Sequence, residues 1–202
     1  MSGARTRMWP AVAVATGLAL LAGCTSSHHP RPGPDPAPSV RALQAKANLA
    51  GCPKPGPAAS STRLPKLTLD CLGAGKPVAL HRLTGRPTLL VLWGSWCGPC
   101  RTELPQVQRF GHAAADRLRV LGVDTEEPAQ SFGLSYLIDH HLHFANVYDE
   151  QGSASHQLGI PALPATVFVR SDGSVASLQP RPMTYDLLRS LSRTYLSVSV
   201  VG

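Results

Sequence analysis

Thr88-Leu89-Leu90-Val91-Leu92-Trp93-Gly94-Ser95-Trp96-Cys97-Gly98-Pro99-Cys100-Arg101-Thr102-Glu103-Leu104 joins an apolar, β-prone run to a segment of helical periodicity. Thr88 to Trp93 predicts a buried strand. Beyond the cysteines, Leu104, Val107 and Phe110 recur at helical spacing. Cys97 and Cys100 therefore stand where a core strand ends and a helix begins. The unpaired N–H groups and the dipole at such a helix start favour a thiolate. The thiolate is the nucleophile of disulfide chemistry, and this placement lowers a cysteine pKa from about 8.5 to roughly 7 or below. Gly98-Pro99 suits a tight entry into the helix. A zinc site uses the same Cys spacing but needs a second close pair of ligands. Cys52 and Cys71 are too far apart in sequence to supply it. Redox chemistry is the reading.

Residues 1–23 have the pattern of an export signal. Arg5 and Arg7 form a basic start, and Ala11 to Leu21 is an apolar stretch shorter than the roughly 20 residues of a membrane span. Leu21-Ala22-Gly23-Cys24 resembles the lipobox of bacterial lipoproteins, which implies cleavage before Cys24 and lipid on its sulfur. Residues 24–50 read as a Pro-rich tether carrying a possible short helix, Val40 to Leu49, capped by Ser39. The proline density of Pro30 to Pro38 keeps that part extended and solvated. Residues 51–202 are assigned to one folded domain.

The chain carries a net charge of +7, but from Lys66 onward 12 Lys and Arg face 11 Asp and Glu. Most of the excess lies before Lys66, chiefly in the leader and tether, where it suits an anionic lipid surface rather than nucleic acid. Of five cysteines, Cys24 is assigned to lipid and Cys97 with Cys100 to redox work. An even leftover pair in an exported protein is expected to form a structural disulfide, Cys52–Cys71. Closing that loop stabilises by about 3 kcal/mol in the chain-entropy model. A second redox pair is the alternative.

Strands are expected at Lys66–Asp70, Pro77–Leu80, Thr88–Trp93, Arg117–Asp124, Ala145–Tyr148, Ala165–Val169 and Ser174–Leu178. Helices are expected from the cysteine pair to Ala115, from Pro128 to His140, from Gly152 to Leu158 and from Thr184 to Leu196. Pro128 is assigned to a first helical turn. Such alternation, closing in a hairpin and a helix, gives an α/β sandwich around a mixed sheet.

From about Leu64 to Leu196 the chain resembles a thioredoxin-fold domain of the TlpA/ResA type, on the strand, Trp96-Cys97-Gly98-Pro99-Cys100 and Arg101-Thr102-Glu103-Leu104-Pro105 together. The resemblance implies a three-layer sandwich with a mixed central sheet flanked by helices, and an insertion at Pro128 to Gly159. It also implies a cis-proline at Pro164, with Pro161 the weaker candidate. Thioredoxins bury an aspartate where this chain has Val91. The nearest motif carboxylate is Glu103, either a proton acceptor for Cys100 or a glutamate favoured by the helix dipole.

The resemblance implies a thiol–disulfide oxidoreductase, outside the cytoplasm and lipid-anchored. Cys97 attacks a protein disulfide and Cys100 resolves the mixed disulfide. Trp96, Gly98, Pro99, Leu163 and Pro164 meet the substrate chain, with Trp96 packed beside the cysteine pair as a shield. Reduction is the favoured direction, with cytochrome c maturation as a role and electrons from a CcdA/DsbD-like membrane thiol carrier. Disulfide oxidase or isomerase is the alternative. Thiol peroxidase is another, although Trp96-Cys97-Gly98-Pro99-Cys100 does not supply the Thr/Ser-x-x-Cys pattern typical of it. No cofactor and no metal site are expected; His140, His141 and His143 read as solvated cations at a helix end.

Overall fold

The computed structural model describes residues 38–59 and 61–200. The expected leader 1–23, Cys24 and the tether up to residue 37 lie outside the described residues. In chain order the elements are α1 (Val40–Ala47), β1 (Thr68–Cys71), β2 (Val78–Ala79), β3 (Thr88–Trp93), α2 (Gly98–Ala114) and β4 (Arg119–Thr125). They continue with α3 (Gln130–Asp139), β5 (Ala145–Asp149), α4 (Ser153–Leu158), β6 (Ala165–Val169), β7 (Val175–Gln179) and α5 (Tyr185–Leu196). None of the helices among these residues is long and apolar enough to cross a membrane.

One sheet runs in the order β2-β1-β5-β4-β3-β6-β7. β3, β4 and β5 are parallel neighbours, while β6, β7, β1 and β2 pair antiparallel. β3 lies near the middle and every one of its residues is buried. A strand covered on both faces reads as a continuous apolar run, which is why Thr88 to Trp93 shows no alternation. Leu89, Val91 and Trp93 face α2, α3 and α5 through Val107, Phe110, Leu134 and Leu188. Leu90 and Leu92 face the other layer, with Val123, Val147, Val167 and Ala154 of α4. The result is a three-layer α/β sandwich around a mixed sheet.

Most element ends fall within two residues of the sequence reading, and two assignments change. α1 belongs to the folded domain and not to the tether, because Leu43 and Ala47 are buried in the helical-side core. Its amphipathic face is one short helix long, too little for periodicity to separate it from a linker. α3 begins at Gln130 after Ala129, so Pro128 precedes the helix and is not in its first turn. Pro128 instead ends the Glu126-Glu127 loop that leaves β4.

Trp93 explains a glycine. Its indole N–H donates to Asn146 Oδ1 at 2.9 Å, and the Asn146 amide donates to the Phe144 carbonyl at 2.9 Å. Trp93 is on β3 and Asn146 on β5, so the indole crosses β4, a span of two strand spacings or about 10 Å. The β4 residue beneath is Gly122, register partner of both Val91 and Asn146. A Cβ there would collide with the Asn146 side chain and come within 3.0 Å of Phe144. Gly122→Ala is therefore expected to destabilise by about 2 kcal/mol or more, as overpacking in a closed core does. Urea denaturation checks this through a lowered midpoint at unchanged slope; a midpoint equal to that of the unaltered protein contradicts it.

Candidate active site

Cys97 occupies the residue before α2. Its N–H donates to the Gly94 carbonyl at 3.1 Å, and its own carbonyl receives the Arg101 N–H at 3.2 Å. Its Sγ accepts the Cys100 N–H at 3.3 Å. This is the geometry by which an N-cap side chain satisfies an orphan donor of the first turn. A sulfur held there sits at the positive end of α2, which favours its charged form when the disulfide opens. Cys97 and Cys100 are disulfide-bonded, with Cα atoms 5.3 Å apart. Both sulfurs are largely withdrawn from solvent, Cys97 at 5% exposure and Cys100 at 0%. Trp96, Gly98 and Pro99 around them are exposed.

Trp96 does not fold onto the cysteines as a shield. Its indole N–H donates to the Thr125 carbonyl at 3.3 Å, and its ring lies over Gly94, where a Cβ would meet Nε1 at 2.6 Å. It is turned toward the end of β4.

The Leu163–Pro164 bond is cis. Ala165 pairs with Leu92, so Pro164 lies across from the end of β3, at the same sheet edge as the turn that delivers Cys97. Leu163 is half-buried beside it.

Glu103 lies in the second turn of α2 and is buried. A glutamate there has left the first turn where the dipole acts, so the dipole does not account for it. Its Oε1 accepts the Thr166 hydroxyl at 3.1 Å. Thr166 is the β6 register partner of Val91. A carboxyl thus reaches the space over Val91 from the helix instead of from the strand. Burial pushes Glu103 up to about 7, against the Thr166 hydrogen bond and the nearby Met183 backbone, which favour the carboxylate. Oε2 has no hydrogen-bond partner of good geometry.

Several residues escaped the sequence reading. Glu127 is buried, and its carboxylate accepts the Ser95 N–H, fastening the turn before Cys97 to the loop after β4. The Tyr148 hydroxyl donates to the Glu127 carbonyl at 2.8 Å. Pro105 stands inside α2 and leaves the Arg101 carbonyl without its helical donor. The Tyr136 hydroxyl donates to that carbonyl at 3.4 Å, while its ring packs 5.8 Å from Trp93. Asp124, the β4 partner of Trp93, is fully buried with neither carboxyl oxygen hydrogen-bonded. Gly133 of α3 leaves the room it occupies. Burial, then the nearby charge of Glu127, push Asp124 up to about 9.

The remaining cysteines and histidines lie elsewhere. Cys52 and Cys71 form a disulfide with Cα atoms 6.0 Å apart, tying the segment after α1 to the end of β1. His140 stacks 4.2 Å from Tyr136, and His143 Nδ1 is 3.0 Å from the Ala47 carbonyl.

The Redoxin family profile matches residues 59–191. The chain is 30% identical over 108 residues to the sporulation thiol-disulfide oxidoreductase A of Bacillus subtilis, covering 52% of this chain and 66% of that protein. It is 25% identical over 116 residues to the thiol-disulfide oxidoreductase ResA of Halalkalibacterium halodurans, covering 56% and 65%. Among solved structures it is similar to a secreted Mycobacterium tuberculosis disulfide oxidoreductase, with TM-score 0.54 and 28% identity, covering 61% of this chain and 91% of that one. The chain spans no more than about two thirds of the length of these curated relatives.

A carboxyl that the fold keeps protonated costs stability once the unfolded chain would ionise it. Glu103 acts this way from its ordinary value of 4.5 to about 7, and Asp124 from 3.8 to about 9. Across both windows the folded protein holds more protons, so stability falls as pH rises. Between about pH 7 and pH 9 Asp124 carries the fall, at most about 1.4 kcal/mol per pH unit. Asp124→Asn should flatten this segment of a urea-denaturation pH series. A slope that Asp124→Asn leaves in place assigns the fall to another group.

Proposed function

The chain belongs to the Redoxin family, and from that premise we propose that it is an extracytoplasmic, lipid-anchored thiol–disulfide oxidoreductase that reduces protein disulfides. The observation carrying the reading is the Cys97–Cys100 disulfide at the start of α2, with Cys97 Sγ against the Cys100 N–H.

In the reduced protein Cys97 is the nucleophile. Its thiolate attacks one sulfur of a substrate disulfide, forming a Cys97–substrate bond and releasing the other substrate sulfur, which takes up a proton. Cys100, as thiolate, then attacks Cys97 Sγ. The Cys97–Cys100 bond forms, the second substrate sulfur leaves and is protonated, and two electrons have passed to the substrate. Trp96, Gly98, Pro99, Leu163 and Pro164 present the surface on which the substrate chain lies.

Cys100 is fully buried, and burial raises a thiol pKa. Glu103, one turn on, is the base we assign to it, directly or through a water. With its pKa at about 7, Glu103 is half ionised near neutrality and gains basic form as pH rises.

The Gly98-Pro99 dipeptide matches that of thioredoxin, whose potential is about −270 mV, and supports the reducing direction. The resulting dithiol suits reduction of cytochrome c precursors before haem attachment, with a CcdA/DsbD-like membrane thiol carrier returning electrons. The two relatives, both thiol-disulfide oxidoreductases by name, support the activity. Cys24 serves as lipid attachment site and Cys52–Cys71 as an inert structural bond.

Three outcomes check the proposal. Cys100→Ala should accumulate mixed disulfides with exported proteins that Cys97→Ala does not form, read on non-reducing gels; equal or absent adducts in both oppose the assignment. Glu103→Gln should slow resolution of a preformed mixed disulfide by about 10-fold, less than a full general-base effect because water substitutes. It should also remove the rise in rate through about pH 7; an unchanged stopped-flow profile removes Glu103 from the chemistry. Mass spectrometry of membrane-extracted protein should find diacylglycerol on Cys24, and an unmodified chain starting elsewhere rejects the anchor.

A further inference from the structure

Beside the cysteine turn lies a groove of which the proposed chemistry uses only Trp96. It is a cavity of about 460 Å³ lined by Ser95, Trp96, Glu126, Glu127, Pro128 and Phe132. Among the described residues the exposed large hydrophobic side chains are Val40, Trp96 and Phe132, and two of the three flank this groove. Phe132 is 52% exposed although the next residues of α3, Gly133 and Leu134, are buried. Its ring is outside the core. Trp96 is pinned by the Thr125 carbonyl and the bare backbone of Gly94. Two aromatic side chains are therefore presented at the groove, and the one held in place, Trp96, lowers the ordering cost of binding.

The charged side chains that line the groove are both acidic. Glu126 is exposed at its rim and Glu127 is buried below. The ion pairs among the described residues are Arg86–Asp116 and Arg189–Asp186, so neither glutamate has a cationic partner there. Arg101, which does not line the groove, is engaged by the Ser95 carbonyl, to which it donates at 2.7 Å, and by the Tyr136 ring beneath it. Glu126 holds a left-handed backbone, φ 57°, a conformation costing a non-glycine residue about 1 kcal/mol or more. Its side chain crosses Gly152 at the start of α4, and Glu126 lines the groove.

We propose that this groove is a substrate subsite selecting a cysteine-containing protein segment with an apolar or aromatic residue and a Lys or Arg next to the attacked cysteine. The inference rests on the oxidoreductase reading above. Trp96 directly precedes Cys97, one Cα step of about 3.8 Å away. A substrate sulfur joined to Cys97 therefore brings the residues one or two positions along its chain onto Trp96 and Phe132. A basic side chain there meets Glu126, at the rim where complementary charge governs capture and specificity.

The test uses two disulfide-cyclised peptides that differ only in carrying Tyr-Lys or Tyr-Glu next to the attacked cysteine, with hydroxyethyl disulfide as a small third substrate. Protein reduced beforehand and freed of reductant is followed through a single turnover. The Lys peptide should react about 10-fold more efficiently than the Glu peptide at low salt, and the ratio should shrink at high salt. Glu126→Lys should invert the preference, and Phe132→Ala should raise the concentration of either peptide needed for half-maximal rate. Equal efficiency on both peptides at low salt, or a preference that Glu126→Lys leaves in place, overturns the subsite while the oxidoreductase reading stands. Failure to reduce any of the three, hydroxyethyl disulfide included, overturns the oxidoreductase reading itself.

Discussion

The first turn of α2 organises this molecule, because the proposed chemistry needs Cys97 Sγ to stay against the Cys100 amide while a substrate sulfur approaches from outside. Everything around the turn limits its freedom. β3, buried on both faces, brings the chain to the sheet edge at a fixed height. Trp93 at its end is tied across β4 to Asn146. Glu127 holds the Ser95 amide from the β4 side, and Pro164, across from the end of β3, bounds the other. A helix N-terminus lowers a thiol pKa only for a sulfur kept within its first turn. The packing thus sets the chemistry.

Acidic groups in this chain have moved relative to the thioredoxin pattern. The strand position that carries an aspartate in thioredoxins is Val91, and the carboxyl over it belongs to Glu103, held by Thr166. One strand away, Asp124 is buried without a hydrogen bond beside Trp93 and under Gly133. The environments of the two acids differ. Glu103 keeps a hydroxyl donor and sits near neutrality, where a proton acceptor works. Asp124 has none, faces the charge of Glu127, and stays protonated at neutral pH.

The local features of the fold were legible because short-range rules govern them. Thr88–Trp93 is apolar without alternation, Ala165–Val169 is β-branched and aromatic, and Ser39 caps α1 through the Ala42 N–H. What stayed hidden is long-range. Glu127 reaches the Ser95 amide 32 residues away, and Thr125-Glu126-Glu127-Pro128 looks like any polar loop. Tyr136 supplies the donor that Pro105 withdraws from Arg101, 35 residues away. α1 looked like part of a tether because Leu43 and Ala47 gain a purpose only when the core is present. Trp96 read as a shield because a large aromatic beside two cysteines usually packs; its turn toward Thr125 depends on Gly94 having no side chain.

The most direct test of the division of labour between the two cysteines is alkylation of the reduced protein by iodoacetamide across pH, with the modified residue identified by mass spectrometry. The account predicts that Cys97 is alkylated first, with an apparent pKa lowered from the usual thiol value of about 8.5 toward roughly 7. Cys100 should stay protected by its burial, and Cys52 and Cys71 should stay unmodified. Cys100 reacting first, or Cys97 titrating at or above the ordinary thiol value, contradicts it.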